Sequence, residues 1–101
     1  MPGPLEGVKV LSFARNLAGP YCTMILCDLG AEVIKIEEPG KGDTARFIGP
    51  HIKGISSYFL SINRGSRSIA LNLREDKAKE AVFKLVDQVN IVVENFRPGV
   101  M

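Results

Sequence analysis

Short hydrophobic runs separated by polar and Gly/Pro segments predict the first elements of this chain. Residues 8–13 predict a strand, because β-branched and apolar side chains fill the segment and Lys9 and Ser12 are its only polar residues. A turn at residues 15–20 follows, and residues 20–29 predict a helix that begins at Pro20 and stops at Gly30. Proline suits the start of a helix because it has no N–H to leave unpaired there, and glycine suits the left-handed residue that ends one.

The predicted first helix has almost no polar face, since only Thr23 and Asp28 are polar between residues 21 and 29. A helix that is apolar around its whole circumference is expected to be buried on all sides. One small sheet covers only one side of such a helix. We therefore expect another domain, another subunit or additional sequence to cover the rest.

The middle of the chain predicts a second strand and a long irregular connection. Residues 32–37 predict a strand parallel to the first one, because a helix fills the connection between them. Residues 38–55 are rich in Gly and Pro and show no sustained period, which is typical of a functional or mobile loop. The pattern of residues 56–63 leaves helix and strand both open.

The last third of the chain predicts strand, helix and strand again. Residues 68–73 and 91–94 are the strand candidates, and residues 74–89 predict an amphipathic helix. Its apolar stripe consists of Ala78, Ala81, Val82, Leu85, Val86 and Val89. Helices alternating with strands in this way indicate an α/β fold with an open parallel sheet.

Composition narrows the class of protein. Apolar residues make up 46% and charged residues 24% of the 101 residues, which is the balance of one small folded domain or part of a larger one. The net charge of +2 argues against a dedicated nucleic-acid binder. The sequence lacks an apolar run of membrane-spanning length and a signal peptide, so we expect a cytoplasmic protein without a membrane partner.

The cysteine and histidine content predicts no metal site. Cys22 and Cys27 lie in an apolar segment, and His51 is the single histidine, so a structural zinc site cannot be completed. We expect both cysteines to be small buried hydrophobic residues.

Ligands of open α/β sheets bind beyond the carboxyl ends of the strands. Three segments meet that condition: residues 15–20, residues from Glu38 onward, and residues 95–99. The first also begins a helix, whose free N–H groups and dipole suit an anion such as phosphate, although an ordinary tight turn has the same sequence. Neither a P-loop nor a GxGxxG fingerprint is present.

Charged residues give two further candidates. Arg64, Arg67 and Arg74 would bind a phosphorylated cofactor if they cluster, and are otherwise solvated charges beside a strand. Asp43 and the Glu37–Glu38 pair are candidate catalytic carboxylates, but lone acids of this kind are mostly surface charges.

Several segments of the chain resemble the opening of the class III CoA-transferases. They are PLEGVKVL (4–11), LAGPYCT (17–23), DLGAEVIKIE (28–37), GDTAR (42–46), NR (63–64), RSIAL (67–71) and VENFRPGV (93–100). The family contains formyl-CoA transferase and the CaiB/BaiF carnitine and bile-acid CoA-transferases, with α-methylacyl-CoA racemase as a relative. The resemblance covers essentially the whole chain in order.

The resemblance implies that residues 1–101 are the N-terminal portion of a large Rossmann-like domain that a much longer chain completes. It also implies a homodimer whose subunits interlock like links of a chain. Members move CoA between an acyl-CoA and a carboxylic acid, with coenzyme A as co-substrate and no metal. An aspartate nucleophile forms mixed anhydrides and an enzyme-CoA thioester.

Matching positions carry the family's CoA contacts over to six residues. They are Leu17 and Ala18 beside the thiol and reacting carbonyl, Leu71 and Arg74 beside the adenine and ribose phosphate, and Asn95 and Phe96 along the pantetheine. Tyr58 matches a tyrosine near the substrate pocket. The nucleophilic aspartate lies downstream of residues 95–99 in the family, so we expect no catalytic residue within this chain, and the 101 residues alone to be inactive.

Three positions depart from the family pattern. Leu17 replaces a glutamine beside the acyl group, Glu38 replaces an arginine that holds a CoA phosphate in formyl-CoA transferase, and Ser66 replaces a lysine. These departures weaken oxalate or formate as substrates and leave the 3′-phosphate to the three arginines of the predicted cluster.

Two alternatives remain open. One is a non-catalytic module that binds CoA or pairs with a full-length homologue. The other is a fragment of a racemase relative, which would abstract the proton α to a thioester. The segment 94–99 favours the transferases over the racemase.

Overall fold

Six strands and three α-helices follow one another in residues 3–100, the part of the chain that the computed structural model describes. A short 3-10 helix, Thr44–Phe47, lies between the second and third strands. The elements are β1 (Lys9–Ser12), α1 (Ala18–Asp28), β2 (Glu32–Glu37), β3 (His51–Ile52), β4 (Ile55–Ser56), α2 (Ser57–Ile62), β5 (Arg67–Ala70), α3 (Asp76–Val86) and β6 (Ile91–Val93).

Four of these strands form a parallel sheet in the order β5-β2-β1-β6. Leu11 of β1 pairs with Ile34 of β2 on one side and with Val92 of β6 on the other. The chain therefore builds the sheet outward from β1 to β2 and β5, and then returns past β1 to add β6. The predicted α/β fold with an open, Rossmann-like parallel sheet is confirmed.

The two faces of the sheet carry separate apolar clusters, because successive side chains of a strand point to opposite faces. Val10, Ala31 and Val33 form the core of one face, with Leu26 and Cys27 of the α1 side packed against it. Leu11, Phe13 and Ile36 form the core of the other face. The residues packed against this second core include Val82, Leu85 and Val89 from the α3 region.

α1 differs from its prediction at its start and on its surface. The helix begins at Ala18, two residues before Pro20, which is its third residue and is buried. Within residues 3–100 it is not buried on all sides, since Tyr21 and Ile25 are 50% and 43% exposed. The prediction that both cysteines are buried is wrong for Cys22, which is exposed, while Cys27 is half-buried.

The connection predicted as an irregular loop contains short regular elements. β3 and β4 form an antiparallel hairpin around Lys53 and Gly54, both with positive φ, at 53° and 80°. This turn favours Asn-Gly or Asp-Gly, so a lysine at its first central position gives little sequence signal. In segment 56–63, for which the sequence left helix and strand both possible, residues Ser57–Ile62 are helical, as α2. In residues 3–100 no helix is both long and apolar enough to cross a membrane.

Candidate functional site

The strand order creates a crevice at the carboxyl ends of β1 and β6. The connections run to opposite sides of β1, so the loops after β1 and β6 leave neighbouring strands at the same edge of the sheet. Open α/β sheets bind ligands at this kind of switch point. The predicted segments 15–20 and 95–99 both lie at this crevice, because they follow β1 and β6 directly.

A cleft of about 180 Å³ opens beside the crevice and is lined by both apolar and charged side chains. Leu71 and Leu73 are among the apolar ones, Arg15 and Arg74 bring positive charge, and Glu37 and Glu38 bring negative charge. A neighbouring cavity of about 810 Å³ shares Arg15 and Arg74 with the cleft and adds Lys79, Phe83 and Val100. Two arginines therefore lie where the two spaces meet, with apolar surface beside them.

Three of the six residues with a predicted CoA contact lie together in this cleft: Leu71, Arg74 and Phe96. Arg15 lies over the Phe96 ring, with its guanidinium carbon 5.3 Å from the ring centroid. The sequence assigned no individual role to Arg15. Its position directly after a strand that ends at the ligand edge is the signal that would have singled it out.

Asn95 joins the two loops of the crevice. Its Oδ1 accepts a hydrogen bond from Arg15 N at 2.9 Å, and its Nδ2 donates to Arg15 O at 2.7 Å. A Cβ on Gly19 would lie 2.1 Å from Ala14 Cβ and 3.4 Å from Asn95 Cγ, so only glycine allows α1 to start this close. The side-chain amide of Asn95 thus holds the backbone of the β1 loop.

The backbone at Leu17 and Ala18 forms the start of α1 at the same edge of the sheet. Leu17 precedes the helix, no side chain within residues 3–100 caps it, and the first turn contains no acidic residue. The positive end of the helix dipole is therefore not neutralised locally. Tyr58 lies apart from the cleft, on the half-buried side of α2.

Two of the acids expected at the surface are buried. Asp43 is 1% exposed and Glu37 is 5% exposed, so the prediction of surface charges is wrong for both, while Glu38 is exposed. Asp43 Oδ2 accepts from Lys35 Nζ at 2.7 Å, and Glu37 accepts from Arg46 Nε and Nη2 at 2.8 and 2.9 Å. The sequence gives no local sign of these pairs, because in each of them one residue lies in β2 and the other in the irregular connection that follows it.

The Glu37 carboxylate keeps its charge down to acid pH. Burial alone raises the pKa of Glu37, but the hydrogen bonds from Arg46, Ser68 and Asp43 N, together with the Arg46 charge, lower it to about 2. The Arg46 guanidinium also stacks on Phe59, 3.8 Å from the ring centroid. At neutral pH the ionised Glu37 therefore holds the segment around Arg46 against β2.

The predicted cluster of three arginines does not form. Arg64 pairs with Asp28 at 2.7 Å, at the end of α1, and Arg67 lies 3.5 Å from Glu32 at the start of β2. Both lie at the amino ends of the strands, whereas Arg74 follows the carboxyl end of β5. Arg74 is the one of the three in the cleft. Within residues 3–100, no group of three or more His, Cys, Asp and Glu residues could hold a metal ion.

Comparison with known proteins gives consistent matches over nearly the whole chain. The model of "CoA-transferase family III" matches residues 5–101. The chain is 50% identical to human succinyl-CoA:glutarate CoA-transferase over 95% of its residues, which is 22% of that protein. It is 46% identical to acetyl-CoA:oxalate CoA-transferase of Acetobacter aceti, covering 98% of the chain and 25% of that protein.

Solved structures show the same likeness in three dimensions. A CaiB/BaiF family protein from Brucella suis superposes with a TM-score of 0.91 at 44% identity, over 98% of this chain and 27% of that one. A protein from Mycobacterium tuberculosis superposes with a TM-score of 0.89 at 46% identity, over 98% and 27% of the two chains. The chain thus spans about a quarter of the length of the relatives that it matches.

Proposed function

Because this chain belongs to CoA-transferase family III, we propose that it forms the N-terminal, CoA-binding part of an enzyme that moves CoA between carboxylic acids. The relatives named above act on succinyl-CoA or acetyl-CoA with glutarate or oxalate. We extend to this protein the reaction class, an acyl-CoA donor and a carboxylic acid acceptor.

The observation that supports CoA binding best is the cleft at the switch point of the sheet. CoA combines a purine, several phosphate groups and a long, weakly polar pantetheine arm. Arg15 and Arg74 supply guanidinium groups for phosphate, and Leu71 and Phe96 supply apolar surface beside them. The start of α1, at Leu17 and Ala18, offers backbone N–H donors to the reacting carbonyl in this proposal.

The proposed chemistry uses an aspartate that lies beyond the motifs of this chain. Its carboxylate attacks the carbonyl of the acyl-CoA and expels the CoA thiolate, which leaves a mixed anhydride. The thiolate then attacks the aspartyl carbonyl, expels the donor acid and forms an enzyme-CoA thioester. The acceptor acid reverses these two steps. In this scheme residues 1–101 bind and orient CoA and are inactive on their own.

Transfer by the polypeptide encoded in the complete reading frame tests the proposal. That polypeptide is incubated with succinyl-CoA or acetyl-CoA and with glutarate, mesaconate or oxalate, and the CoA esters are separated by chromatography. We expect a new CoA ester of an acceptor, and an enzyme-CoA adduct detectable by mass spectrometry. Absence of both, together with CoA binding no tighter than millimolar, would remove the proposed function.

The same experiment separates the two alternatives. Exchange of an α-proton of the acyl group in deuterated water, without CoA transfer, would support a racemase. A reading frame that ends at Met101, with micromolar CoA binding and no transfer, would support a binding module. We also propose that the complete protein is an interlocked homodimer. The apolar residues that α1 exposes in residues 3–100 support this, since large exposed apolar patches mark contact surfaces.

A further inference from the structure

Side chains from separate parts of the chain hold the turn between β1 and α1. Side-chain hydrogen bonds hold the backbone of three consecutive residues of this turn, 14–16. The contacts are Lys35 Nζ to Ala14 O at 3.1 Å, Arg15 N to Asn95 Oδ1 at 2.9 Å, Asn95 Nδ2 to Arg15 O at 2.7 Å, and Asn16 N to Asp43 Oδ1 at 3.0 Å.

Lys35 and Asp43 make this arrangement rigid. Their side chains are 4% and 0% exposed and form an ion pair at 2.7 Å. Lys35 gives its remaining hydrogen bonds to Ala14 O and Asn63 Oδ1, and Asp43 Oδ1 also accepts from Ala45 N at 2.9 Å. A buried ion pair adds little net stability compared with an apolar pair of equal volume, because desolvation offsets the attraction. The geometry that it imposes is therefore the better explanation of its place here.

The turn contains one residue, Asn16, whose backbone is in the left-handed conformation. Asn16 has φ of 64°, a left-handed conformation that costs energy for most side-chain-bearing residues and that asparagine adopts more readily than they do. Asp43 holds this residue in place by accepting the Asn16 N–H. The next residue, Leu17, precedes the first residue of α1. The turn at Asn16 therefore sets the direction in which the backbone of Leu17 and Ala18 points.

We propose that Lys35 and Asp43 are positioning residues that fix the backbone at Leu17 and Ala18 against the reacting acyl group. This inference rests on the proposed function, because it requires the thioester to lie at the start of α1. Neither side chain needs to touch substrate, since both act through the β1–α1 turn. A displacement of about 1 Å at a reacting centre costs on the order of 100-fold in rate, so loss of the pair should lower kcat.

Asn16 variants of the complete polypeptide test the turn without changing the buried charges. The side chain of Asn16 is exposed, so its replacement removes little core. Asn16→Gly tolerates positive φ and keeps the N–H for Asp43, whereas Asn16→Val strongly disfavours this conformation. We expect Asn16→Val to lower kcat about tenfold or more with KM for the acyl-CoA within about threefold, and Asn16→Gly to keep kcat within about threefold.

Asp43→Asn tests the pair itself, with Val33→Ala as the control. Val33 is a buried apolar residue on the same face of the same strand as Lys35, so its truncation destabilises the protein without touching the turn. We expect Asp43→Asn to lower kcat at least tenfold more than Val33→Ala at an equal loss in melting temperature.

The outcomes separate the two proposals. Transfer by the wild-type polypeptide, with equal kcat for Asn16→Val and Asn16→Gly, would overturn the positioning role and leave the proposed function intact. The same holds if Asp43→Asn lowers kcat no more than Val33→Ala does. Absence of transfer by the wild-type polypeptide would overturn both proposals. If Asp43→Asn does not fold, the Asn16 pair alone decides the matter.

Discussion

Glu37 is a buried acid whose ionisation is linked to folding. Its pKa is about 2 in the folded protein and 4.5 in its ordinary state. A lowered pKa stabilises the fold fully above the ordinary value, and this contribution disappears as the pH falls toward 2. We predict that Glu37→Gln lowers the free energy of unfolding by about 2 kcal/mol at pH 7, because Arg46 loses its charged partner. Urea unfolding of the complete protein between pH 7 and pH 2 measures this.

Glu38→Gln is the matched control for this prediction. Glu38 is the next residue along the chain and is exposed, so its change should lie within about 0.5 kcal/mol at every pH. The difference between the wild-type protein and Glu37→Gln should shrink below pH 4.5. A difference that stays constant down to pH 2 would contradict the role of the charge.

Arg74 is the arginine that the structure separates from its expected partners. It lies in the cleft, whereas Arg64 pairs with Asp28 at the other end of the sheet. We predict that Arg74→Gln raises the Kd for CoA about tenfold or more, since a charge-assisted phosphate contact is lost. Arg64→Gln should leave the Kd within about twofold. Calorimetric titration of CoA measures both, and equal effects would refute the assignment.

α1 has an almost entirely apolar sequence, yet within residues 3–100 one side of it is exposed to solvent. Tyr21, Ile25 and Leu29 recur every four residues and lie on one exposed stripe of the helix region. α3 packs Val82 and Leu85 against the sheet, while its Phe83 is 69% exposed and Val86, a member of the predicted apolar stripe, is 38% exposed. A stripe of this kind indicates that other residues cover α1 in the complete protein.

We predict that Ile25→Ser in the complete protein lowers the free energy of unfolding by about 1–2 kcal/mol, because a covered apolar side chain is lost. Lys84→Ser on the exposed side of α3 should change it by less than about 0.5 kcal/mol. Chemical denaturation of both variants measures the difference. Equal midpoints would mean that the stripe stays open to solvent.

The molecule as a whole exposes more apolar surface than a self-sufficient small domain should. Large exposed side chains occur at α1, around the β3–β4 hairpin and at the outer strand β6, where Ile91 and Val92 are 39% and 44% exposed. An outer strand with apolar side chains invites pairing with other chains. The edge strand β6 and the exposed face of α1 are thus the surfaces where we expect other protein segments to pack.

We predict that residues 1–101, expressed alone, aggregate or unfold without a cooperative transition. Light scattering coupled to size-exclusion chromatography reports the first outcome, and calorimetry reports the second. The complete protein, measured in the same buffer, is the control and should melt cooperatively. A monomeric 101-residue chain with a sharp transition would contradict this prediction.

Elements that a local sequence pattern specifies were predicted well. The strand at residues 32–37 agrees with β2 at both ends, and the amphipathic pattern of residues 74–89 contains α3. The family resemblance also rests on short segments in fixed order, and the match over residues 5–101 confirms it. In each case the information lies in neighbouring residues, because hydrophobic period and turn chemistry act over a few positions.

The site depended on side-chain pairs that the local sequence pattern does not reveal. Glu37 and Asp43 look like surface acids in the sequence, and only the fold brings Arg46 and Lys35 against them. Arg64 and Arg74 are ten residues apart in the chain, yet the strand β5 between them sends one to each end of the sheet. The sequence by itself determined the parallel α/β fold and the family. The tertiary structure alone decided which charges are buried and which cation reaches the cleft, because burial and electrostatic pairing depend on distances in space.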